Sequence, residues 1–325
     1  MGLKKVIEEI KKNNSFLITT HVNVEGDALG SELALMGLLA HLGKKTLLIN
    51  SDDVPEEYKF LPGIKNIKRL NQLKDKAFDA FIVVDCSDLG RCEKVARAVP
   101  SDTLIINIDH HISNNNFGQI NWIKPYSSST SEMIYELYKN MHVPLDRNKA
   151  LCLYTGILTD TGSFHYSNTT PRSLNIAADL IGYDLEIHKI YNNIYQNIPF
   201  SDARILSEII TRMRSDMRGK VVWFSITKHF FRTRKISIDL AEHVLNFGRL
   251  IKEAEVIVLF REYSAAGGRI RVNLRSKTLN VNKIAKIFGG GGHKNASGAI
   301  VEGTLKTVER RVIRKIKEWL LHRRY

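Results

Sequence analysis

The chain has 325 residues, 43% of them hydrophobic, which suits two domains with cores of their own and is short for three. Its 48 Lys and Arg against 34 Asp and Glu give a net charge of +14, which favours polyanionic partners such as nucleic acid and nucleotides, although a solvated basic surface accounts for it equally well. No apolar run approaches bilayer length, so no membrane partner is expected, and Cys86, Cys92 and Cys152 show no CxxC spacing, which leaves neither a disulfide framework nor a thiolate metal site.

The opening MGLKKVIEEIKKNN reads as a charged amphipathic helix without the apolar core of a signal peptide; with the unpaired cysteines it implies a cytoplasmic setting. FLITT follows as a strand, GSELALMGLLAHLG as a helix closed by Gly43, then KTLLIN and AFDAFIVVD as strands. RCEKVARAV is a short helix, TLIINID a strand, and TSEMIYELYKNM, RNKALCLYTGILTDTG and PRSLNIAADLIG are helices. Short β-branched runs alternating with helices predict a doubly wound, mainly parallel α/β sheet. The pattern loosens around IYNNIYQNIPFSDARIL, which reads as a connection into a smaller α/β domain containing VVWFSI, EVIVLFRE and RIRVNLRSK. The closing basic helix, TVERRVIRKIKEWLLHRRY, reads as a solvated face, since its aromatics make no stacking platform.

Ligands of such sheets sit beyond the carboxyl ends of the strands. Three strands here end in polar, metal-competent residues: His21, Glu25 and Asp27 after the first, Asp85 after FIVV, and Asp109, His110 and His111 after LIINI. One imidazole with carboxylates suits Mn²⁺ or a similar ion. Taken alone, Asp27 reads more simply as the N-cap of a helix starting near Ala28. Adjacent histidines point apart, so one can join a metal while the other faces substrate. Asp160 interrupts an apolar helical pattern, and its burial requires a charge partner or a metal. His21, Glu25, Asp27, Asp85, His110 and Asp160 exceed the needs of one ion. Two ions sharing a carboxylate, about 3.5–4 Å apart, would account for them, clamping attacking and leaving oxygens in phosphoryl displacement. Further on, Gly289, Gly290, Gly291 and Gly292 can expose backbone N–H groups as an anion nest, flanked by His293 and Lys294, with Arg275 and Ser276 at an upstream strand end. The ordinary reading of a glycine run is a flexible turn.

In this order the motifs resemble the DHH phosphoesterase superfamily, in the branch with a DHH-associated C-terminal domain, and within it the bacterial nanoRNases. The resemblance rests on H-x3-(D/E)-x-D-A-x-G-S, the Asp after a strand, Asp109–His110–His111, the D-T-G helix end and GGGGH, and covers nearly the whole chain. It implies a catalytic domain over 1–188, a linker over 189–205, a substrate-binding domain over 206–325, and a cleft between the domains. It further implies hydrolysis of short oligoribonucleotides to mononucleotides, and of 3′-phosphoadenosine 5′-phosphate to AMP, by a hydroxide bridging two Mn²⁺, with Mg²⁺ or Co²⁺ as substitutes. Carried over by position, one metal takes His21, Glu25 and Asp85. The other takes Asp27, Asp85, His110 and Asp160, with Asp85 bridging. His111 sits by the scissile phosphate, while Arg275, Ser276, His293 and the glycines hold it from the other side, with Arg91 a weaker candidate for that task. A homodimer is compatible with this pattern. The departure is Val24–Glu25, where the family commonly has Pro–Asp; Glu25 is one methylene longer and is expected to ligate directly or through water. The same ligands would serve a cyclic or linear dinucleotide phosphodiesterase; a pyrophosphatase or a non-catalytic nucleic-acid-binding protein fits less well.

Overall fold

The computed structural model describes residues 2–73, 78–233, 240–262, 268–292 and 294–322. The chain divides into two compact units, Met1–Asn197 and Ile198–Tyr325.

In the first unit the elements run α1 (Gly2–Lys12), β1 (Ser15–Thr19), α2 (Gly26–His41), β2 (Lys45–Asn50), β3 (Ile67–Arg69), β4 (Ala80–Val84), α3 (Glu93–Ala98), β5 (Leu104–Asp109), β6 (Ile120–Ile123), α4 (Thr130–Asn140), α5 (Arg147–Asp160), α6 (Pro171–Ile181) and α7 (Ile187–Tyr195). The strands form one six-stranded sheet in the order β3-β2-β1-β4-β5-β6, and every pairing is parallel. The near-continuous apolar runs are explained by burial on both faces. Phe16, Ile18, Ile82 and Val84 face a core with α2, α4 and α5, whereas Leu17, Phe81 and Val83 face the side covered by Val95 of α3. The strand order reverses between β1 and β4, the crevice where ligands bind in sheets of this topology.

Helices α2 and α5 pack to backbone contact. A Cβ on Gly30 would collide with the Cys152 carbonyl oxygen of α5, and one on Gly156 would come within 2.8 Å of Asp27 Oδ1 of α2 besides colliding with Ser131 of α4. The first turn of α2 and the last of α5, carrying Asp27 and Asp160, are thereby drawn to the same place.

Residues 189–205 were expected to be a linker. The division between the units falls inside this range, which holds most of α7 and the start of α8 (Phe200–Thr211), with Pro199 as the break before α8. The reason is apolar periodicity: Ile190 and Ile194 pack in the first unit's core, and Ile205 and Ile209 in the second's.

The second unit continues with β7 (Arg214–Asp216), β8 (Val221–Ile226), α9 (Lys228–Arg232), α10 (Ala241–Leu250), β9 (Val256–Glu262), β10 (Arg269–Ser276), α11 (Val281–Ile287), β11 (Gly291–Gly292), β12 (Ala296–Glu302) and α12 (Leu305–His322). Its sheet runs β11-β12-β10-β9-β8-β7, with β8 and β9 parallel and the other pairs antiparallel. One face packs on α11 and α12, including Val308, Val312, Ile316 and Leu320; the other packs on α8 and α10. Among the described residues no helix is long and apolar enough to cross a membrane.

Candidate metal centre

The end of β1 is secured on both sides by threonines. Thr19 Oγ1 donates to the Ile49 carbonyl of β2 at 2.6 Å, and Thr20 Oγ1 donates to the Val84 carbonyl of β4 at 2.9 Å. His21 follows, buried, with Nδ1 2.7 Å from the Val22 carbonyl. That contact keeps the proton on Nδ1 and leaves Nε2 as a lone pair. His21 Nε2 is buried without a hydrogen-bond partner, 3.6 Å from Asp85 Oδ2 and 3.9 Å from Glu25 Oε1. Burial, then the Arg91 guanidinium, lowers the His21 pKa to about 3, so the ring is neutral and able to ligate.

Asp85 leaves β4 with φ +54, a left-handed conformation rare outside glycine, while its N–H still pairs with the Ile108 carbonyl at 2.9 Å. The sharp exit aims its carboxylate into the β1/β4 crevice. Oδ1 accepts from Thr130 Oγ1 at 3.0 Å and lies 3.7 Å from both His110 Nε2 and His111 Nδ1. Asp85 thus lies between His21 on one side and the His110–His111 pair on the other. His110 repeats the logic of His21: Nδ1 sits 3.1 Å from the Ser127 carbonyl, and Nε2 faces Asp160 at 3.4 Å, Asp85 at 3.7 Å and Asp27 at 3.9 Å.

Asp27 does not cap the helix it belongs to. Residue 25 is the N-cap of α2, and Asp27 instead accepts the N–H groups of Thr130 (2.7 Å) and Ser131 (2.8 Å) at the start of α4. These are orphan donors at a helix N-terminus, where a negative charge is favoured. Asp160 closes α5, held by Asn168 Nδ2 at 3.3 Å.

Three donor groups result, each with atoms within 4.8 Å of one another: His21, Glu25 and Asp85; Asp27, His110 and Asp160; and Asp85, His110 and His111. Electrostatically the cluster calls for positive charge. Burial, then the charges of Asp27, Asp109 and Asp160, pushes Asp85 well above the usual carboxylate range; burial lifts Asp160 to about 8 against the pull of His110. Burial alone would lower His110, but Asp160 and Asp27 outweigh it and raise it. A neutral His21 ring with its unpartnered buried Nε2, beside crowded acids, is a donor set fit for metal. Glu25 is the outlier, its side chain 57% exposed against 2% for His21 and Asp85.

His111 is held differently, its Nδ1 2.7 Å from Asp109 Oδ1. The rings of His110 and His111 are edge-on, with centroids 5.0 Å apart; both approach Asp85 Oδ1, while their Nδ1 atoms lie against different acceptors, the Ser127 carbonyl and Asp109. Asp109 carries the opposite shift from Asp85: burial would raise it, but His111 and the Asn114 hydrogen bond hold it below the usual range. Asp109, Asn114, Ser127, Thr130 and Asn168 were not singled out for these supporting roles from sequence. Only the polar runs SNNN and SSSTS beside the motifs hinted at them.

Arg91 is half-buried near His21; its main-chain carbonyl accepts the Val22 N–H at 2.9 Å. The second-unit candidates form a group of their own. Arg275 pairs with Ala296 across the β10–β12 ladder and forms an ion pair with Glu242. Ser276 is buried, its N–H on the Asn295 carbonyl (2.9 Å) and its Oγ accepting the N–H groups of Thr278 and Leu279 at 3.1 and 2.7 Å. The nest expected of the glycine run is corrected in its first half. Gly289 N–H donates to the Lys286 carbonyl (3.1 Å) and Gly290 N–H to the Ala285 carbonyl (2.9 Å), with Gly289 at φ +73. These two glycines terminate α11, and their N–H groups satisfy its last carbonyls. Gly291 and Gly292 pair with Gly298 and Ser297, and His293 lies outside the described residues.

Residues 15–157 match the DHH family, N-terminal domain, and residues 233–321 match the DHHA1 domain. The chain therefore carries a DHH domain followed by a DHHA1 domain. It is 29% identical to the bifunctional oligoribonuclease and PAP phosphatase NrnA of Thermus thermophilus, over 99% of this chain and 95% of that one. The protein of the same name from Bacillus subtilis is 26% identical, over 91% and 92%. A crystal structure of an exopolyphosphatase-related protein from Bacteroides fragilis superposes with a TM-score of 0.88 at 26% identity, covering 98% of this chain and 96% of that one.

Proposed function

We propose that this protein is a metal-dependent phosphoesterase that hydrolyses short oligoribonucleotides to mononucleotides and 3′-phosphoadenosine 5′-phosphate to AMP, in the cytoplasm. One observation carries the proposal: buried imidazoles and carboxylates converge at the carboxyl ends of β1, β4 and β5, with His21 Nε2 unpartnered among them. The names of relatives spanning nearly the whole chain support the substrate class.

His21, Glu25 and Asp85 would hold one Mn²⁺, and Asp27, Asp85, His110 and Asp160 the other. When bound, the cations supply neutralisation of phosphate charge and acidification of the attacking water. The protein's residues do the rest. Asp109 holds the His111 Nδ1 proton, which leaves Nε2 to exchange a proton with substrate. Arg91 adds positive charge beside His21. Arg275, Ser276, His293 and the glycine turn are the proposed phosphate-binding group of the second unit. Ser276 would contribute by shaping that strand end, because its hydroxyl is already engaged. Arg275 would exchange Glu242 for phosphate.

A substrate panel with Mn²⁺ tests the proposal: a ribodinucleotide, a pentamer, a long oligomer, 3′-phosphoadenosine 5′-phosphate, cyclic dinucleotides and pyrophosphate. Turnover should be fastest on the ribodinucleotide and pentamer, with 3′-phosphoadenosine 5′-phosphate cleaved as well. Cleavage confined to cyclic dinucleotides or pyrophosphate, or no cleavage at all, would overturn it.

A further inference from the structure

We propose that Asn114 is a positioning residue for His111, acting through Asp109; the role rests on the phosphoesterase reading above. Asn114 lies in the loop between β5 and β6, and the neighbouring hydrogen bonds leave its amide one orientation. Its Oδ1 accepts the Asn116 N–H at 2.7 Å, so Nδ2 is the donor. Three acceptors surround Nδ2: Asp109 Oδ2 at 2.6 Å, Asn107 Oδ1 at 2.8 Å and the Cys86 carbonyl at 3.1 Å. Asn107 Nδ2 also donates to the Cys86 carbonyl at 3.1 Å, so that oxygen already has one donor and Asn107 Oδ1 is left as an acceptor. The two hydrogens of Asn114 therefore go to Asp109 and Asn107.

The consequence falls on His111. With Oδ2 held by Asn114, the fully buried Asp109 carboxylate cannot rotate, and its Oδ1 stays 2.7 Å from His111 Nδ1. A competitor is close: Asp85 Oδ1 is 3.7 Å from the same nitrogen. Loss of the Asn114 donor leaves a buried carboxylate oxygen unsatisfied, which loosens Asp109 and lets the imidazole turn toward Asp85. Asn114 thus decides how firmly Asp109 holds the His111 Nδ1 proton, since Asp85 is the more distant acceptor for that same nitrogen.

Asn114→Leu removes the donor while keeping the same branched side-chain skeleton, at a larger volume. Asn114→Asp keeps the acceptor for Asn116 but turns an oxygen on Asp109, and serves where the Leu variant fails to fold. On a ribodinucleotide, kcat should fall roughly 10- to 100-fold in either variant with KM and bound-metal content unchanged. In a His111→Ala background the same substitution should change kcat less than about twofold, because the path through His111 is already cut. Multiplying losses in the double variant, or an unchanged kcat in the single ones, would overturn the proposal. A second readout needs no turnover: ¹⁵N spectra of the Mg²⁺-loaded protein should show His111 protonated at Nδ1, and a tautomer mixture in Asn114→Leu. An unchanged tautomer would refute Asn114's role even if the oligoribonucleotides prove not to be substrates.

Discussion

Glu25 and Asp85 sit either side of His21 Nε2 at similar distances, yet differ in what surrounds them. Asp85 is buried, strained and shared between donor groups; Glu25 stands at the rim, mostly in water. Glu25→Gln should therefore weaken divalent-cation affinity by about tenfold and leave folding intact, whereas Asp85→Asn should abolish tight binding, as isothermal titration calorimetry would show. If Glu25→Gln binds metal like the parent, Glu25 is not a ligand. A second residue-scale effect lies away from the donor groups. Glu32 is buried in α2 with Oε1 on Asn50 Nδ2 at 2.7 Å, and burial lifts its pKa to about 8. Its folded pKa exceeds its unfolded one, so its contribution to stability is full below about pH 4.5 and is lost as pH rises through about 8. The loss runs at up to about 1.4 kcal/mol per pH unit. Glu32→Gln removes it, so the Tm advantage of that variant should grow from pH 5 to pH 9; a constant difference would refute the assignment.

At the scale of elements, the site depends on how closely α2, α4 and α5 approach. Gly156 is the tightest point: a methyl group there would meet Ser131 Oγ and come within 2.8 Å of Asp27 Oδ1. Gly156→Ala should cost about 1–3 kcal/mol in urea unfolding and also weaken metal binding, since the helices can separate only by moving Asp27 from α4. Destabilisation with unchanged metal affinity would show the seam to be structural alone. The glycine run after α11 teaches a different lesson. Four consecutive glycines read as donors open to an anion, but a helix ends immediately before them, and its free carbonyls take the first two. A local motif cannot reveal a competitor whose presence depends on where the preceding helix stops.

At the scale of the molecule, each unit has its own cores and the donor groups all lie in the first. Mn²⁺ should raise the Tm of the metal-stripped protein, as binding to the folded state alone requires. Hydrogen–deuterium exchange should show the added protection within residues 2–197, strongest around His21, Asp85 and Thr130. Equal protection of residues 198–322 would contradict a centre built by the first unit alone. The sequence by itself determined much of this protein. Periodicity marked the central strands of both sheets and most helices, polar residues at three strand ends pointed to five of the donors and His111, and an acid in an apolar helix pointed to Asp160, because burial leaves a direct imprint on composition. Tertiary structure alone decided how those donors are held. Asp27 reaches N–H groups 103 and 104 positions along the chain, and the Asn114–Asp109–His111 path and the α2–α5 seam are likewise set by packing. Apolar patterning is a local property of sequence, whereas a hydrogen bond's partner is settled only when distant segments meet.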